Sequence, residues 1–218
     1  MTQQLDLVPL TEQSPVGTCH VYVVRHGTTT LNVQNRYRGR RDVPLDAQGY
    51  QDAVDAARAL SGVGLEAVYA GPLRRTLATA QIIADESRLP DLRVLYGLNN
   101  VDYGAWEGMT GPEAHAFDPA AFALYTGSPG QAVCPAGERL SDARSRMIEA
   151  LQLIGGRHAG ESVAAVTHAV MVRLAVSWLT GVEGPEWRIP VGRGSLTRFD
   201  ICDGVIRLGR LPDGDDVD

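Results

Sequence analysis

The chain has 218 residues, of which 44% are apolar, enough for one domain with a full hydrophobic core. Its formal net charge of −6 argues against a general nucleic-acid binder. All of the basic charge comes from twenty arginines. The absence of lysine excludes mechanisms that depend on one, such as a Walker phosphate loop, a Schiff-base enzyme or a protein kinase.

The two ends of the chain differ in composition from its middle. Residues 1–18 show no basic segment followed by an apolar core, so we expect a flexible extension without a secretory signal. Residues 212–218 predict a solvated acidic tail, which leaves 19–211 as a single domain. The three cysteines form no CxxC pair and indicate reduced thiols of a cytoplasmic protein. No apolar run reaches the roughly 18 residues that a membrane helix needs, so no membrane partner is expected.

The apolar pattern predicts strands and helices that alternate along the chain. Short apolar runs predict strands at 20–24, 65–70, 92–97, 162–167, 195–201 and 205–211. Amphipathic periodicity predicts helices at 47–61, 72–87, 138–154 and 169–181. Such alternation is typical of an α/β fold built around a mainly parallel sheet.

Several of these elements have specific start or stop signals. Asp46 is suited to cap the helix that follows it, and Pro72 suits the first turn of the next helix. The helix after Asp46 is expected to pack through one face, made of Tyr50, Ala53, Val54, Ala57 and Leu60. The segment 98–136 is rich in glycine and proline, and we interpret it as a small cap or insert with one short helix near 117–125. A CDG turn at 202–204 joins the last two strands.

Charged residues follow three of the predicted strands. Arg25 and His26 follow the first strand, Arg75 follows the second, and His168 follows the strand at 162–167. Ligands of open α/β sheets bind outside the carboxyl ends of the strands, so these side chains are expected to meet there. Guanidinium groups offer planar forks for phosphate oxygens, and the sequence therefore predicts a site for a doubly negative ligand.

Five motifs occur along most of the chain in a recognisable order. They are RHGTTTLN (25–32), PLRRTLATA (72–80), VDYGAWEG (101–108), PAGE (135–138) and VTHAVMVR (166–173). Together they resemble the motifs of the histidine phosphatase superfamily, in its phosphoglycerate mutase-like branch. The resemblance implies a three-layer αβα sandwich with a mainly parallel central sheet. It also implies phosphoryl transfer through a phosphohistidine, without a metal or another cofactor.

The resemblance implies a role for each matching residue. His26 matches the nucleophile, whose other ring nitrogen needs an acceptor such as a backbone carbonyl to fix the tautomer. Arg25 and Arg75 match the phosphate-binding arginines, and His168 matches the second histidine, which donates to the transferring phosphoryl group. The substrate pocket is expected to include Asn32, Arg38, Gly39, Asn100, Tyr103 and Ala169.

The chain also departs from the family pattern. Four positions differ from the residues that are usual in the family. Thr28 and Asn100 each stand where the family has a glutamate, Gly71 stands where it has a serine, and Ala169 where it has a glycine. Asn100 stands where the family has its general acid, and an amide cannot deliver a proton. The replacement matters because general acid catalysis typically raises the rate by about 10²–10⁴-fold. Three alternatives remain open: Asp102 acts as the acid, Glu107 does, or the substrate has a leaving group that needs little protonation.

These observations favour a metal-independent phosphatase that acts on a small phosphorylated metabolite through phospho-His26, with Asp102 included among the catalytic candidates. The first rival is a phosphoglycerate mutase-type phosphotransferase. The second, motivated by Asn100, is a phosphate-binding pseudoenzyme or a repurposed member of the family. A homo-oligomer is compatible with the sequence, which leaves the oligomeric state open.

Overall fold

The computed structural model describes residues 16–90 and 92–211. Its centre is a sheet of six strands. They are β1 (Cys19–Arg25), β2 (Leu65–Ala70), β3 (Leu92–Val94), β4 (Ser162–Thr167), β5 (Leu196–Cys202) and β6 (Val205–Arg210). The spatial order is β3-β2-β4-β1-β5-β6, in which the first four strands run parallel, β5 is antiparallel to β1, and β6 is antiparallel to β5.

Helices connect the strands. They are α1 (Thr30–Val33), α2 (Ala47–Ala59), α3 (Arg74–Glu86), α4 (Gly111–Phe117), α5 (Pro119–Gly127), α6 (Leu140–Arg157) and α7 (Ala169–Thr180). Short 3-10 turns lie at Tyr96–Leu98, Gly104–Trp106 and Gly184–Trp187. None of the helices in the described ranges is both long enough and apolar enough to cross a membrane.

The helices cover both faces of the sheet. On one face α2 and α3 pack against β2 and β4 through small and branched side chains, for example Ala56, Ile83 and Val68. On the other face α6 and α7 enclose a larger core that includes Trp106 and Met147. This arrangement confirms the predicted α/β fold class, a three-layer αβα sandwich with a mainly parallel central sheet.

The start of α2 confirms one sequence signal and corrects another. Asp46 Oδ1 accepts a hydrogen bond from Gly49 N at 2.9 Å and caps the helix as predicted. Tyr50 was wrongly placed on the buried face, because its side chain is 52% exposed. Gly49 is buried instead and lies against the 26–28 segment, where an added Cβ would come within 2.1 Å of Thr28 O. The helix therefore approaches the end of β1 closely through a residue without a side chain.

Other boundaries differ for local reasons. β3 ends at Val94, not at residue 97, because the chain turns into a 3-10 turn that buries Leu98 and leaves Tyr96 exposed. Pro72 lies just before α3, whose N-cap is Leu73.

The segment 98–136 contains two short helices where one was predicted. α4 begins with a capping box between Thr110 and Glu113, and α5 begins at Pro119 after the cap Asp118. Asp118 Oδ1 accepts from Ala121 N at 2.9 Å, so the single predicted helix is divided by a second start signal.

The packed domain begins slightly earlier than predicted. Thr18 is 5% exposed, and Gly17 O accepts a hydrogen bond from Gly160 N at 3.0 Å, so these two residues belong to the domain and not to the extension predicted at 1–18. Val16, also in that predicted extension, is fully exposed, whereas 1–15 and the predicted tail at 212–218 lie outside the described residues.

Candidate active site

The pairing of β1 with β4 brings the two motif histidines together. Arg25 and Thr167 are partners in the parallel register, and His26 N donates to Thr167 O at 3.0 Å. His26 and His168 therefore follow adjacent strand ends. Their ring centroids lie 5.0 Å apart with planes at 64°. The side chains are 1% and 2% exposed, so the pair lies at the base of the site and not on the surface.

The backbone fixes the tautomer of His26. Its Nδ1 lies 2.6 Å from the carbonyl oxygen of Gly27, which can only accept, so Nδ1 carries the proton and Nε2 has a free lone pair. This contact is the backbone acceptor that the sequence predicted. Burial lowers the pKa of His26 well below its usual value, and the nearby charges of Arg75, Arg38 and Arg25 lower it further. The ring is therefore neutral at neutral pH.

His168 is the N-cap of α7 and lies beside His26. Among the described residues neither ring nitrogen of His168 has a hydrogen-bond partner, although the side chain is buried. Burial lowers its pKa well below the usual value, with Arg75 and His26 adding to the effect. A buried histidine with two unpaired nitrogens points to a polar ligand next to it.

Two fully buried guanidinium groups accompany the histidines. Arg25 Nη1 donates to the carbonyl oxygen of Val191, in the segment between α7 and β5. Arg75, in the first turn of α3, donates from Nη1 to Arg41 O at 2.7 Å and from Nη2 to Gly39 O at 2.8 Å. Burial and the charge of Arg38 lower the pKa of Arg75 to about 9, so the group remains charged at neutral pH.

Asn32 supplies a buried amide close to the end of β1. Its Oδ1 accepts from Thr29 N at 3.0 Å and from Thr29 Oγ1 at 2.8 Å. These bonds fix the amide so that Nδ2 is a buried donor, and within the described part of the chain that donor has no partner. His26, His168, Arg25, Arg75 and Asn32 are hereafter called the cradle.

The carbonyl oxygen of Gly39 links Asn100 to Arg75 of the cradle. Gly39 O accepts from Arg75 Nη2 and also from Asn100 Nδ2, at 2.8 and 2.9 Å. Only glycine fits at position 39, because its φ is +51° and an added Cβ would come within 2.0 Å of Glu107 Oε1. Asn100 is 4% exposed, and its own Oδ1 accepts from Val101 N at 3.0 Å, so both ends of its amide are engaged.

Arg146 on α6 holds the segment that carries Asn100. Its guanidinium donates to the carbonyl oxygens of Gly97, Asn99 and Asn100, at 3.0, 2.5 and 2.8 Å. The same group makes a two-point contact with Glu138, at 2.8 and 3.0 Å. No motif singled out Arg146 in the sequence, since its role depends on contacts across 46 to 49 residues of chain.

A cavity of about 560 Å³ opens beside the cradle. Its walls include the predicted residues Arg38, Asn100, Tyr103, His168 and Ala169. The sequence did not assign the other charged and aromatic side chains of these walls to the pocket, namely Arg36, Tyr37, His115, Phe122, Tyr125, Arg173 and Arg188. Most of them lie in the 98–136 segment, in α7 or in the residues that follow α7. Outside α7, the three-dimensional path of these irregular segments cannot be predicted from sequence patterns.

The predicted acid Asp102 does not line this cavity. Its Oδ1 accepts from Gly104 N at 3.0 Å, and its Oδ2 lies 3.4 Å from Arg40 Nη1. The side chain of Asp102 contacts Gly104 N and Arg40, away from the described cavity walls to which Asn100 belongs. Glu107 is also engaged, since its Oε1 accepts from Arg40 N at 2.6 Å.

The chemistry of the site is that of an anion cradle with one nucleophilic nitrogen. Within residues 16–90 and 92–211, no group of His, Cys, Asp and Glu side chains is arranged to hold a metal ion. His168 lies beside His26, whose Nε2 is unprotonated, and the charges of Arg25 and Arg75 act on His26; Asn32 adds a buried amide donor after β1. Such a cradle suits a tetrahedral dianion, and its lone pair suits in-line attack at phosphorus.

Fold and site together define a phosphoglycerate mutase-like α/β enzyme. The sequence profile of the histidine phosphatase superfamily (branch 1) matches residues 21–214. The chain is 32% identical over 164 residues to phosphoglycerate mutase-like protein 4 of Arabidopsis thaliana, covering 74% of this chain and 71% of that protein. It is 30% identical over 161 residues to phosphoserine phosphatase 1 of Hydrogenobacter thermophilus, covering 74% and 76%.

A solved structure supports the same assignment. Bacillus stearothermophilus YhfR superposes with a TM-score of 0.80 and 32% identity, over 88% of this chain and 98% of that one. The chain belongs to the histidine phosphatase superfamily, and with it to enzymes that act on small phosphorylated substrates.

Proposed function

We propose that this chain hydrolyses small phosphomonoesters without a metal, with His26 as the nucleophile. The observation that carries the proposal is the 2.6 Å contact between His26 Nδ1 and Gly27 O, which leaves Nε2 unprotonated beside two buried guanidinium groups. One of the relatives named above is a phosphoserine phosphatase, which supports hydrolysis over transfer to a second substrate.

The reaction has two steps in this scheme. The lone pair of His26 Nε2 forms a bond to phosphorus while the ester P–O bond breaks, and the electron pair leaves with the substrate oxygen. Arg25 and Arg75 balance the charge of the equatorial oxygens, and His168 donates to them as charge redistributes. Water then attacks phosphorus, the P–N bond breaks, and its electron pair returns to Nε2 as inorganic phosphate leaves. Throughout, the proton stays on Nδ1, which donates it in a hydrogen bond to the Gly27 carbonyl oxygen.

The leaving oxygen has no carboxylic acid beside it in this scheme. Among the described residues that line the cavity, none is an aspartate or a glutamate. The leaving oxygen therefore departs as an anion or takes its proton from water. This feature distinguishes the chain from the family pattern, in which a glutamate occupies position 100.

Rapid mixing with a phosphomonoester followed by an alkaline quench tests the proposal, because phosphohistidine survives in base. We expect mass spectrometry to find one phosphoryl group on the peptide containing His26, and none in His26→Ala. His115→Ala is a matched control, since that histidine lines the cavity outside the cradle. Equal turnover with and without a chelator is expected. Phosphate release that persists in His26→Ala would refute the role of His26.

The fate of the phosphoryl group separates the proposal from its rivals. A radiolabelled phosphoenzyme is expected to lose its label to water. Transfer of the label to an added sugar phosphate would indicate a mutase-type phosphotransferase. Stabilisation of the fold by a phosphorylated ligand without any release of phosphate would indicate a binding protein.

We also propose a cytoplasmic location for the enzyme. Its three cysteines, Cys19, Cys134 and Cys202, are free thiols, and the first two are buried in the core. Reduced thiols of this kind are usual in the cytoplasm. Mass spectrometry of the protein alkylated directly in cell extracts is expected to find all three unpaired, and a disulfide there would contradict this location.

A further inference from the structure

The cavity beside the cradle contains a large share of the aromatic rings of the chain. The chain has seven tyrosines and three phenylalanines, and four of these ten side chains line the cavity. They are Tyr37, Tyr103, Phe122 and Tyr125, hereafter called the aromatic wall. Because aromatic residues make up only 6% of the chain, this concentration is a property of the cavity and not of the overall composition.

Two rings of the aromatic wall keep surface that a ligand can contact. Tyr103 and Tyr125 are buried, and their hydroxyl oxygens lie 2.9 Å apart, so these two side chains hold each other in place. Tyr37 and Phe122 also line the cavity but are only partly buried. The buried pair therefore supports the wall, while Tyr37 and Phe122 present ring surface to the cavity.

The position of Tyr37 is fixed by its backbone and by its neighbours. Tyr37 N donates to Met109 O at 2.8 Å, and Tyr37 O accepts from Gly108 N at 2.7 Å. The centroid of its ring lies 4.8 Å from that of Tyr103 and 5.7 Å from that of Tyr125. A ring that is already held in place loses little conformational freedom when a ligand binds. Fixed aromatic rings favour a further ring in an offset or edge-to-face arrangement.

The aromatic wall and the cradle belong to one site. His168 of the cradle lines the same cavity as the four rings, and so does Asn100. Tyr37 lies two residues before Gly39, whose carbonyl oxygen accepts from Arg75 Nη2 at 2.8 Å. With a phosphoryl group in the cradle, the group esterified to it therefore occupies the cavity, next to the aromatic wall.

The cavity offers a leaving oxygen no carboxylic acid. None of the described residues that line it is an aspartate or a glutamate, and the amide of Asn100 is engaged at both ends. Burial raises the pKa of Tyr37, Tyr103 and Tyr125, so their hydroxyl groups are poor acids at neutral pH. A phosphate ester is therefore expected to react fastest here when its leaving oxygen is stable as an anion.

We propose that the substrates of this site are phosphate monoesters of small phenols, whose ring packs on the aromatic wall and whose oxygen leaves as a phenolate. The inference rests on the proposed function for the position of the phosphoryl group and for attack by His26. When the P–O bond breaks, its electron pair stays on the phenol oxygen, is delocalised into the ring, and later takes a proton from water. The aromatic wall and the missing carboxylic acid favour this class independently of each other. A cavity of about 560 Å³ is large enough for such a molecule.

Three esters separate recognition of the ring from acidity of the leaving group. Phenyl phosphate has both features, benzyl phosphate has a ring on an ordinary alcohol, and hexafluoroisopropyl phosphate has an acidic alcohol without a ring. We expect kcat/KM for phenyl phosphate to exceed that for hexafluoroisopropyl phosphate by about 3-fold or more. It should exceed that for benzyl phosphate by about 100-fold or more. Equal values for the phenyl and benzyl esters, or for the phenyl and fluorinated esters, would overturn the proposed class.

A binding measurement separates failure of the substrate class from failure of the proposed hydrolysis. Phenylphosphonate and cyclohexylphosphonate have a C–P bond in place of the ester and differ in whether the ring is aromatic. Calorimetry on wild type is expected to give a Kd about 3-fold or more lower for phenylphosphonate. If this ratio holds while no ester releases phosphate, recognition of the ring stands and the hydrolytic function is wrong. Equal affinities in an enzyme that releases phosphate would overturn the substrate class alone, and equal affinities without release would overturn both.

The variants Phe122→Leu and Tyr37→Leu test the aromatic wall, with Phe117→Leu and Tyr50→Leu as matched controls. Phe117 and Tyr50 are exposed, and neither is among the described residues that line the cavity. Each cavity variant is expected to bring the ratio of the two phosphonate affinities close to one, and each control to keep the ratio of wild type. Phe122 is only partly buried, so its variant is expected to fold even if Tyr37→Leu disturbs the packing of the wall. A ratio that is unchanged in both folded cavity variants would show that the wall does not contact the ring and would overturn the inference.

Discussion

Asn100 donates a hydrogen bond from Nδ2 to the carbonyl oxygen of Gly39 at 2.9 Å, the same oxygen that receives Arg75 Nη2 at 2.8 Å. The amide of Asn100 thus supports the loop that positions a cradle guanidinium. Because its Oδ1 is also engaged, by Val101 N at 3.0 Å, the side chain is a structural link in a position where the family pattern has an acid.

Asn100→Asp is expected to lower kcat/KM by roughly 10-fold, because one donor to Gly39 O is lost and a carboxylate oxygen faces that carbonyl. The loss should appear together with weaker binding of inorganic phosphate, since Arg75 shares the same acceptor. Steady-state kinetics and phosphate inhibition measure the two effects.

Asn99→Asp is the matched control for this change. Asn99 uses its Oδ1 to accept from Asn100 N at 2.8 Å, and an aspartate retains that acceptor while adding the same charge one residue away. We expect this variant to stay within about 2-fold of wild type. An equal loss in both variants would mean that added charge alone, and not the bond to Gly39, explains the result.

Turnover is expected to depend steeply on the leaving group. A site without a general acid lacks a rate enhancement of about 10²–10⁴-fold. This enhancement matters most when the leaving group is an alcohol of high pKa. Aryl phosphates with phenols of decreasing pKa should therefore be hydrolysed progressively faster, and alkyl phosphates should be slow. A linear free-energy plot of log kcat/KM against leaving-group pKa measures the slope.

Asp102→Asn decides whether the remaining carboxylate candidate acts as the acid. The Asp102 side chain contacts Gly104 N and Arg40, so we expect the variant to keep the slope of wild type and to lose at most about 3-fold in rate. A selective loss for alkyl phosphates in this variant would restore Asp102 as the proton donor.

The parts of the fold that sequence predicted are those specified by local patterns. The run at 20–24 is β-branched and became β1, and Asp46 caps α2 through its own side chain. The register of β1 with β4 then places His26 beside His168 without further information, because both follow parallel strands at one edge. Motif order and strand polarity were sufficient for this part of the site.

The walls of the cavity could not be predicted in the same way. Asp102 is a candidate acid by sequence, but its side chain contacts Gly104 N and Arg40, and it is not among the described residues that line the cavity. Arg188 reaches the cavity through the packing of Trp187 on Tyr125, a contact between segments 62 residues apart. Such contacts depend on tertiary packing, for which a single sequence has no local signal.

Arg75→Lys is expected to reduce kcat/KM by about 100-fold or more, although the charge is kept. Arg75 donates to Arg41 O and Gly39 O from two different nitrogens, and its buried Nε has no partner among the described residues. A single ammonium cannot replace donors at these separate positions. Arg74→Lys, on the exposed side of the same turn, is the control and should behave as wild type. Full activity in Arg75→Lys would show that a positive charge at this position is sufficient and that the separate N–H donors of the guanidinium group are not needed.

The free energy of unfolding is expected to fall as pH decreases below the usual histidine pKa of about 6.5. Burial holds the pKa of both His26 and His168 well below that value, so between the folded and the unfolded pKa the unfolded chain binds more protons than the native one. Stability from these groups is therefore fully present above about pH 6.5 and is lost at about 1.4 kcal/mol per pH unit for each histidine below it.

Urea unfolding at about pH 7.5 and about pH 5.5 measures this effect. The difference in the free energy of unfolding between the two pH values should be roughly 3 kcal/mol larger in wild type than in the double variant His26→Asn, His168→Asn. The three other histidines are the same in both proteins, so the comparison isolates His26 and His168. The same pH dependence in the two proteins would mean that both rings take up protons freely in the native state, which contradicts their neutral, buried placement beside Arg75.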